Sequence, residues 1–374
     1  MKAARNQEGT EMRTDFRFAM KTLVAGLALS IASVAMAQVK TELRTVRVGT
    51  YGGPWQQAVH ASVGAKLESM GIKVEYVTGN PAENLAKITA ARGTPPIDVM
   101  EMGPSERITM KREALLEDLP TAKILNVFKI SLEVADKKTI KHQIDRQTVA
   151  HQIVQNGILI RKDLFATEKL PSLVRFEDLM HPKLAGRTAF PAVTNPQHWP
   201  VVSSLASEAG GGESKPDPGF RQAVKMRPLY FYASTTELAQ KLGSGEIVAA
   251  PSHAGMAVRL HRAGMNVDFV HPQVGAKLGE VEYNYLGIVK GTKNLDAAAA
   301  FINVFLDTQP QADFARSMGV VPVNREARQM LLKDPVLSRF LLLGDRDLAN
   351  AYSMNWEKVD IGKWRSTWAD VTSK

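Results

Sequence analysis

The stretch from Thr45 to Gly79 limits the fold more than any other part of the chain. Val46 and Val48 alternate with basic residues as in a short β-strand, and Thr50-Tyr51-Gly52-Gly53-Pro54-Trp55 then breaks the alternation. Pro54 suits a first helical position. Ala58, Val59, Val63, Leu67 and Met70 recur at helical spacing up to Gly71, and Lys73-Val74-Glu75-Tyr76-Val77 alternates again. The predicted unit is β-α-β, with a glycine turn at the carboxyl end of its first strand. In open α/β sheets ligands settle outside those strand ends, where glycines admit close backbone approach and a helix N-terminus offers unpaired N–H groups. Tyr51 and Trp55 flank the turn with flat apolar faces. They either stack on a small molecule or serve as structural aromatics of an ordinary turn, and this segment leaves both readings open.

The first 37 residues read as a cleavable export signal. Arg13, Arg17 and Lys21 form a basic region, Leu23 to Ala35 an apolar stretch, and Ala35-Met36-Ala37 a small-x-small site with cleavage predicted after Ala37. Residues ahead of Met12 carry no targeting features, which leaves Met1 and Met12 both open as the start. The apolar stretch is too short for a membrane span, and no later run is long enough. The chain has no cysteine, which excludes disulfides, thiolate metal sites and a lipid-modified cysteine anchor. A released protein of a bacterial periplasm is the expected localisation. Removing 37 of the 374 residues leaves 337, enough for two domains, and lowers the formal net charge from +9 to +7. Basic residues are dispersed without a stripe or interleaved aromatics, so no nucleic-acid partner is expected; a bias toward anionic or zwitterionic small molecules is a milder inference.

Along the chain, Glu83 to Ala91 reads as an amphipathic helix stopped by Arg92-Gly93-Thr94-Pro95-Pro96. Ile97 to Met102 is the next strand, ended by Gly103-Pro104-Ser105, and the helix Glu106 to Ala114 follows. This repeat of strand, glycine-bearing turn and helix places Gly103 and Ser105 on the same sheet edge as Gly52 and Gly53. Thr148 to Ile160 is β-prone around Gly157, either a strand crossing between domains with a glycine pivot or one bulged strand within a sheet. Arg187 to Phe190 is a strand, Pro191 to Pro200 a proline-punctuated loop carrying Asn195, His198 and Trp199, Val201 to Ala209 a helix, and Gly210 to Gly219 a surface loop. Leu229 to Tyr232 is strand-like, and Ser234-Thr235-Thr236-Glu237 is a capping box. Ile247 to Ala250 is a buried strand ended by Pro251-Ser252-His253, with Ser252 expected to cap the helix Ala254 to Ala263.

Val267 to Val270 is another strand, and Glu282 to Val289, which contains Gly287, is β-prone. Its alternation puts Tyr283 and Tyr285 on one face, Glu282 and Asn284 on the other. One strand leaving near Thr148 and one returning near Glu282 would bracket a discontinuous second domain. The remainder is helical: Asn294 caps an apolar helix through Leu306, Gln311 to Met318 is another, and Asn324 caps a helix to Leu332. Trp356, Trp364 and Trp368 read as packing anchors of a terminal helix. No G-x-S-x-G, H-E-x-x-H or G-x-x-x-x-G-K-[ST] occurs, and no dinucleotide-type glycine run follows a strand. The eight histidines are scattered, with His198 and His253 singled out by polar loops at strand ends. No enzyme activity, catalytic residue, metal site or cofactor is expected.

Val48-Gly49-Thr50-Tyr51-Gly52-Gly53-x-Trp55, Gly71-Ile72-Lys73-Val74, Pro96-Ile97-Asp98-Val99-Met100, Gly245-Glu246-Ile247-Val248 and Gly319-Val320-Val321-Pro322-Val323-Asn324 occur in that order behind a signal sequence. With these marks the chain resembles the periplasmic solute-binding proteins of ABC importers, in the branch that includes polyamine, thiamine, ferric-ion and aminophosphonate binders. The resemblance implies an α/β, two-lobed periplasmic-binding-protein fold of type II, with two crossing hinge strands and a ligand cleft between the lobes. The expected divisions are a signal peptide over 1–37, lobe 1 over 38–150, lobe 2 over 151–285, and the returning part of lobe 1 with C-terminal helices over 286–374. Carried over by position, the lining is Tyr51, Gly52, Gly53, Trp55, Gly103, Ser105, Asn195, His198, Trp199, Ser252, His253, Tyr283, Asn284 and Tyr285.

Polyamine binders of this type hold ammonium groups with acidic side chains, and at those places this chain reads His198 or Trp199, and Asn284. Ferric binders are expected to use adjacent tyrosines, whereas Asn284 separates Tyr283 from Tyr285. The ligand expected from the resemblance is therefore a small polar organic solute, carboxylate or opine-like, phosphonate or thiamine-like, ahead of a polyamine and then ferric ion. The expected partner is an ABC permease in the inner membrane, served by a monomer that captures its ligand by domain closure. A periplasmic enzyme or a chemoreceptor-feeding sensor on the same fold are the alternatives.

Overall fold

A computed structural model of the chain describes residues 44–91, 93–130 and 143–372. The predicted signal sequence lies outside the described residues. The strands are β1 Arg44–Thr50, β2 Ile72–Thr78, β3 Val99–Met102, β4 Thr148–Arg161, β5 Ala189–Pro191, β6 Tyr230–Tyr232, β7 Ala249–His253, β8 Val267–Val270, β9 Gln273–Val274, β10 Lys277–Leu278, β11 Glu280–Ile288 and β12 Val321–Pro322. Helix α1 runs through Pro54–Val59, a π turn His60–Gly64 and Ala65–Ser69. Further on lie α2 Pro81–Ala90, α3 Pro104–Arg112, α4 His198–Glu208, α5 Asp217–Lys225, α6 Thr235–Ser244, α7 Ala254–Arg262, α8 Leu295–Phe305, α9 Thr308–Met318, α10 Arg325–Leu331 and α11 Ile361–Thr372.

The opening β-α-β unit forms as its pattern dictates. β1 pairs in parallel with β2, Val46 opposite Val74, and with β3, Val48 opposite Val99. The π turn departs from the regular spacing expected of α1. It inserts one residue, so Val59, Val63 and Leu67 stay buried on the sheet while Met70 turns to solvent, 51% exposed.

Among the described residues, eight strands join in one sheet, ordered β12-β4-β11-β3-β1-β2 with β7 and β8 also on β4. β4 changes partners along its length. From Thr148 to Asn156 it pairs with β11, and Gln152 and Ile153 also meet β12. From Asn156 onward it pairs with β7, and from Ile158 with β8. The exchange is centred on Gly157, where a Cβ would strike the carbonyl oxygen of Val270 and lie 2.7 Å from the Phe269 ring. Glycine is thus required by close packing of the returning strand. Gly287, in contrast, sits inside the sheet between Met100 and Thr148.

Two apolar clusters form. Val46, Val48, Val99, Phe301, Phe305 and Phe314 belong to one, under β1, β3 and β11. Phe176, Phe190, Trp199, Phe220, Trp364 and Trp368 belong to the other. Of the three expected packing anchors, Trp356 stands in a 3-10 turn ahead of α11, whereas Trp364 and Trp368 tie α11 to the half of the chain that contains β5 and β6: Trp364 stands 5.9 Å from Trp199, and Trp368 4.6 Å from His198.

Several local readings need correction. α4 begins at His198, three residues before the helix expected at Val201, because Pro200 fits a first helical turn. α5 continues the segment that reads as a loop up to Gly219. β7 extends through Pro251 to His253, so Ser252 pairs with Gly157 and His253 takes the N-cap position of α7 without a side-chain cap bond. Asn294 stands at the N-cap of α8 but donates its amide to Asp98 at 3.2 Å instead of capping. The Ser234 and Asn324 caps form, accepting from Glu237 N and Ala327 N.

Gly157→Ala is expected to cost about 1–3 kcal/mol through overpacking at the strand exchange. Urea denaturation checks it, and wild-type stability would show that Val270 can move aside.

Candidate functional site

Directly opposed residues of antiparallel strands share one face of a sheet. Glu280 lies opposite Asn156, which lies opposite His253 on its other side; Glu282 opposes Val154, and Asn284 opposes Gln152. One face of the crossing region therefore carries a strip of polar side chains where the sheet changes partners. The next residues of β11 and β4, Val281, Tyr283 and Ile153, are buried in the apolar cluster. The register slips between Asn284 and Tyr285, leaving His151 as the extra residue of β4.

The strip is incompletely satisfied by the protein. Asn156 donates Nδ2–H to Glu280 Oε2 at 2.5 Å. Glu280 Oε1, Asn156 Oδ1, Glu282 Oε2, Asn284 Oδ1 and both amide atoms of Gln152 are buried without a hydrogen-bond partner. Burial pushes Glu280 up to about 8. Glu282 is raised well above the carboxylate range by burial, then by the neighbouring carboxyls of Glu280 and Glu106. Glu106 stands in the first turn of α3. Tyr51, just past the end of β1, is raised first by burial and then by the negative charges of Glu106, Glu101 and Glu282. None of Glu106, Glu280 and Glu282 forms an ion pair with a described lysine or arginine.

Glu101 on β3 is almost fully buried. It accepts from the Thr50 hydroxyl at 2.5 Å and from Trp55 Nε1–H at 3.1 and 3.0 Å. Burial pushes its carboxyl up to about 7, against the lowering effect of those two bonds. His151 Nε2 lies 3.3 Å away, but burial pushes that imidazole down to about 3, so it is neutral at physiological pH. The Trp55 ring is braced edge-on by Phe314 at 5.1 Å and Tyr51 at 5.4 Å.

The expected lining divides. Tyr51 and Trp55 stand together at the end of β1, with Gly52 and Gly53 exposed between them; Gly53, at φ 64°, is the N-cap of α1. Gly103 is the N-cap of α3 and Ser105 lies in its first turn. His253 and Asn284 belong to the polar face, while Ser252 beside His253 is fully buried. Tyr283 is buried, and Tyr285 lies under the Arg107 guanidinium, 4.3 Å from ring centroid to charge centre. Arg107 in turn donates to Thr148 Oγ1 at 2.8 Å and pairs with Asp145, whose carboxyl is held well below its usual range.

Asn195, His198 and Trp199 are engaged with other parts of the protein. Asn195 is spent within its own loop, donating to the Ala233 carbonyl and accepting from Gln197 N. His198 is fully buried, bonded to the Pro191 carbonyl at 2.8 Å, and packs with Trp199 into the aromatic cluster under α11. The groups that sequence reasoning missed are Glu101, Glu106, Gln152, Asn156, Glu280 and Glu282. Carboxylates, absent from the expected lining, stand directly beside Asn284. Strand alternation already put Glu282 and Asn284 on one face; only the register adds Gln152, Asn156 and His253 to it.

The family profile described as bacterial extracellular solute-binding protein matches residues 65–337. A search of curated protein sequences gives no match. Solved structures of similar fold include an ABC transporter substrate-binding protein from Bradyrhizobium japonicum, 19% identical over 87% of this chain and 99% of that one, TM-score 0.71. A spermidine/putrescine ABC transporter substrate-binding protein from Streptococcus pneumoniae is 17% identical over 88% and 97%, TM-score 0.70. A periplasmic binding protein from A. tumefaciens B6 in complex with glucopine is 18% identical over 87% and 99%, TM-score 0.67.

The raised carboxyls set a stability profile. The buried histidines, pushed down to about 3 to 4 in the folded chain, are still partly protonated near pH 6.5 in the unfolded chain, so through about pH 7.5 they add a rising slope that wild type and variant share. The unfolded chain ionises Glu280 near its ordinary value of 4.5, whereas the folded chain keeps the proton until about 8. The folded state then binds more protons, so this group's contribution falls as pH rises toward 8, by about 1.4 kcal/mol per pH unit at most. Glu280→Gln is expected to remove this falling contribution, so that the stability of the ligand-free variant relative to wild type increases from pH 6.5 to 8.5. Denaturant titrations at stepped pH check this, and an unchanged slope would contradict it.

Proposed function

The chain belongs to the bacterial extracellular solute-binding protein family, and from that premise we propose that it is the periplasmic substrate-binding component of an ABC importer. Two lobes close over one small polar organic solute, and the closed form is read by the membrane permease. The observation that carries this reading is the exchange of β4 partners at Asn156 and Gly157. The chain crosses out along β4 and returns from β8 to β11 beside it, and the polar face lies at that crossing. Lobe 1 then holds β1 to β3 and α1 to α3 with the returning helices α8 to α10. Lobe 2 holds β5 to β8, with α11 docked on it through Trp364 and Trp368. The lining combines the first wall, Tyr51, Gly52, Gly53, Trp55, Gly103 and Ser105, with His253 from the second wall and Asn284 between them.

A hinge needs only a few residues that absorb backbone rotation, and Gly157 at the exchange supplies one. The solute favours closure because contacts to both walls exist only in the closed form, and it shifts the equilibrium by that difference in affinity.

The test identifies the solute by native mass spectrometry of the purified protein, then follows X-ray scattering as the solute is removed and restored. The radius of gyration is expected to contract on its return; an unchanged profile with tight binding would refute closure. Tyr51→Ala is expected to weaken that solute by about 1–3 kcal/mol, as loss of an aromatic anchor does, with the melting profile otherwise retained. Calorimetry reads the affinity, and a wild-type value would remove Tyr51 from the lining.

A further inference from the structure

The orientation of the Trp55 ring depends on one buried side chain. Resting on the solute-binding reading, in which Trp55 belongs to the first wall, we propose that Glu101 is a positioning residue that fixes this ring, and that loss of its proton beside His151 tightens the hold.

Glu101 joins three strands and a helix. On β3 it lies opposite Leu286 of β11. Its carboxyl accepts from the Thr50 hydroxyl at the end of β1 and, through both oxygens, from the Trp55 indole in the first turn of α1. An indole has one donor and no acceptor, so this N–H is the single polar handle by which the fold can turn the ring. From β4, the extra residue His151 brings Nε2 to 3.3 Å from Oε1. The imidazole packs 4.8 Å from Phe305 and 6.4 Å from Phe314, and Phe314 is also the ring that meets Trp55 edge-on. One carboxyl thus ties the aromatic wall to the strand that crosses between the halves of the chain.

The donor inventory gives each protonation state a different grip. Ionised, the two oxygens only accept, and they take Thr50, Trp55 and the Nε2–H of neutral His151. In the acid form one oxygen carries a proton that Trp55 cannot accept; it turns to His151 Nε2 or the Thr50 oxygen, and the indole keeps an uncharged acceptor. A charge-assisted bond is roughly twice as strong as a neutral one. Linkage gives the same sign. Burial raises the Glu101 carboxyl to about 7 while the Thr50 and Trp55 bonds lower it, so ionisation strengthens those bonds in return. The surrounding groups add no cation. His151 is pushed down to about 3 by burial, Tyr51 at the end of β1 is raised by burial first, and Glu282 on β11 is likewise raised by burial first. On α1, His60 turns to Tyr76; on α3, Glu106 stands in the first turn and Arg107 pairs with Asp145. α8 and α9 present Phe305 and Phe314. A ring already held loses less freedom when a solute stacks on it, so the wall is best pre-organised above neutral pH.

Proton–nitrogen correlation NMR of the ligand-free protein tests this through its five tryptophan indole signals, with Trp55→Phe assigning the one from Trp55. That signal is expected to move downfield as pH rises from about 5.5 to 8.5, with one inflection near 7. The Trp364 indole, which donates to the Glu213 carbonyl at 3.2 Å, is expected to stay in place. Glu101→Gln keeps the shape of the acid form, so its Trp55 signal is expected at the low-pH position throughout, with the inflection lost. A purely structural carboxyl moves neither signal. An invariant Trp55 signal in the wild-type protein overturns the proposal even if the variant misfolds, and an inflection that survives Glu101→Gln assigns the effect to another group and overturns it too. The measurement needs no solute, so its failure leaves the transport reading standing. Absence of contraction in scattering refutes closure and leaves the hold of Glu101 on Trp55 intact.

Discussion

A strand of fourteen residues buried on both edges must find backbone partners along its whole length, and β4 does so by changing them midway. Its first part is satisfied by β11 and β12, its last part by β7 and β8. The changeover requires the returning chain to pass closely, and Gly157 admits the Val270 carbonyl and the Phe269 ring at that point. Everything proposed about the site depends on this junction, since the exchange brings Asn156, His253 and Glu280 side by side.

The frame around the junction is held by charge pairs whose partners are well supplied. Asp98, fully buried beside β3, accepts from Arg47 through backbone and guanidinium, from the Thr292 hydroxyl at 2.6 Å and from the Asn294 amide. Its carboxyl is held below its ordinary range despite burial. Asp145, Arg107, Thr148 and Tyr285 form a comparable brace beside the polar face. Against these, Glu280 and Glu282 stand out as buried carboxyls with oxygens left over. A fold that satisfies Asp98 so fully has no structural need for that arrangement, and an unsatisfied buried oxygen destabilises unless something else fills its valence. Binding proteins tolerate such local cost where an external group completes the network.

Much of the scaffold is legible in local pattern. Alternation at Val46 and Val48, the glycine turn, Pro54 and the stripe of α1 give β-α-β because period and turn chemistry act within a few residues. The caps at Ser234 and Asn324 are equally local. Where nearby prolines disturb the pattern the reading slips: Pro200 enters α4 instead of delaying it, and Pro251 stays within β7. His198 and Trp199 read as polar-loop residues because the sequence does not reveal that α11, more than 150 positions later, returns Trp364 and Trp368 to cover them.

By itself the sequence determined the α/β order of elements, the family marks and the pairing of Glu282 with Asn284 on one strand face, since each rests on periods of two or about 3.6 residues. Only the tertiary structure decided that this face is polar across three strands. Cross-strand register joins Gln152, Asn156 and His253 to it, over separations of about a hundred residues, and no local spacing encodes such a meeting. Burial, which converts those carboxyls from surface anions into proton-holding groups, exists only once the chain has packed around them.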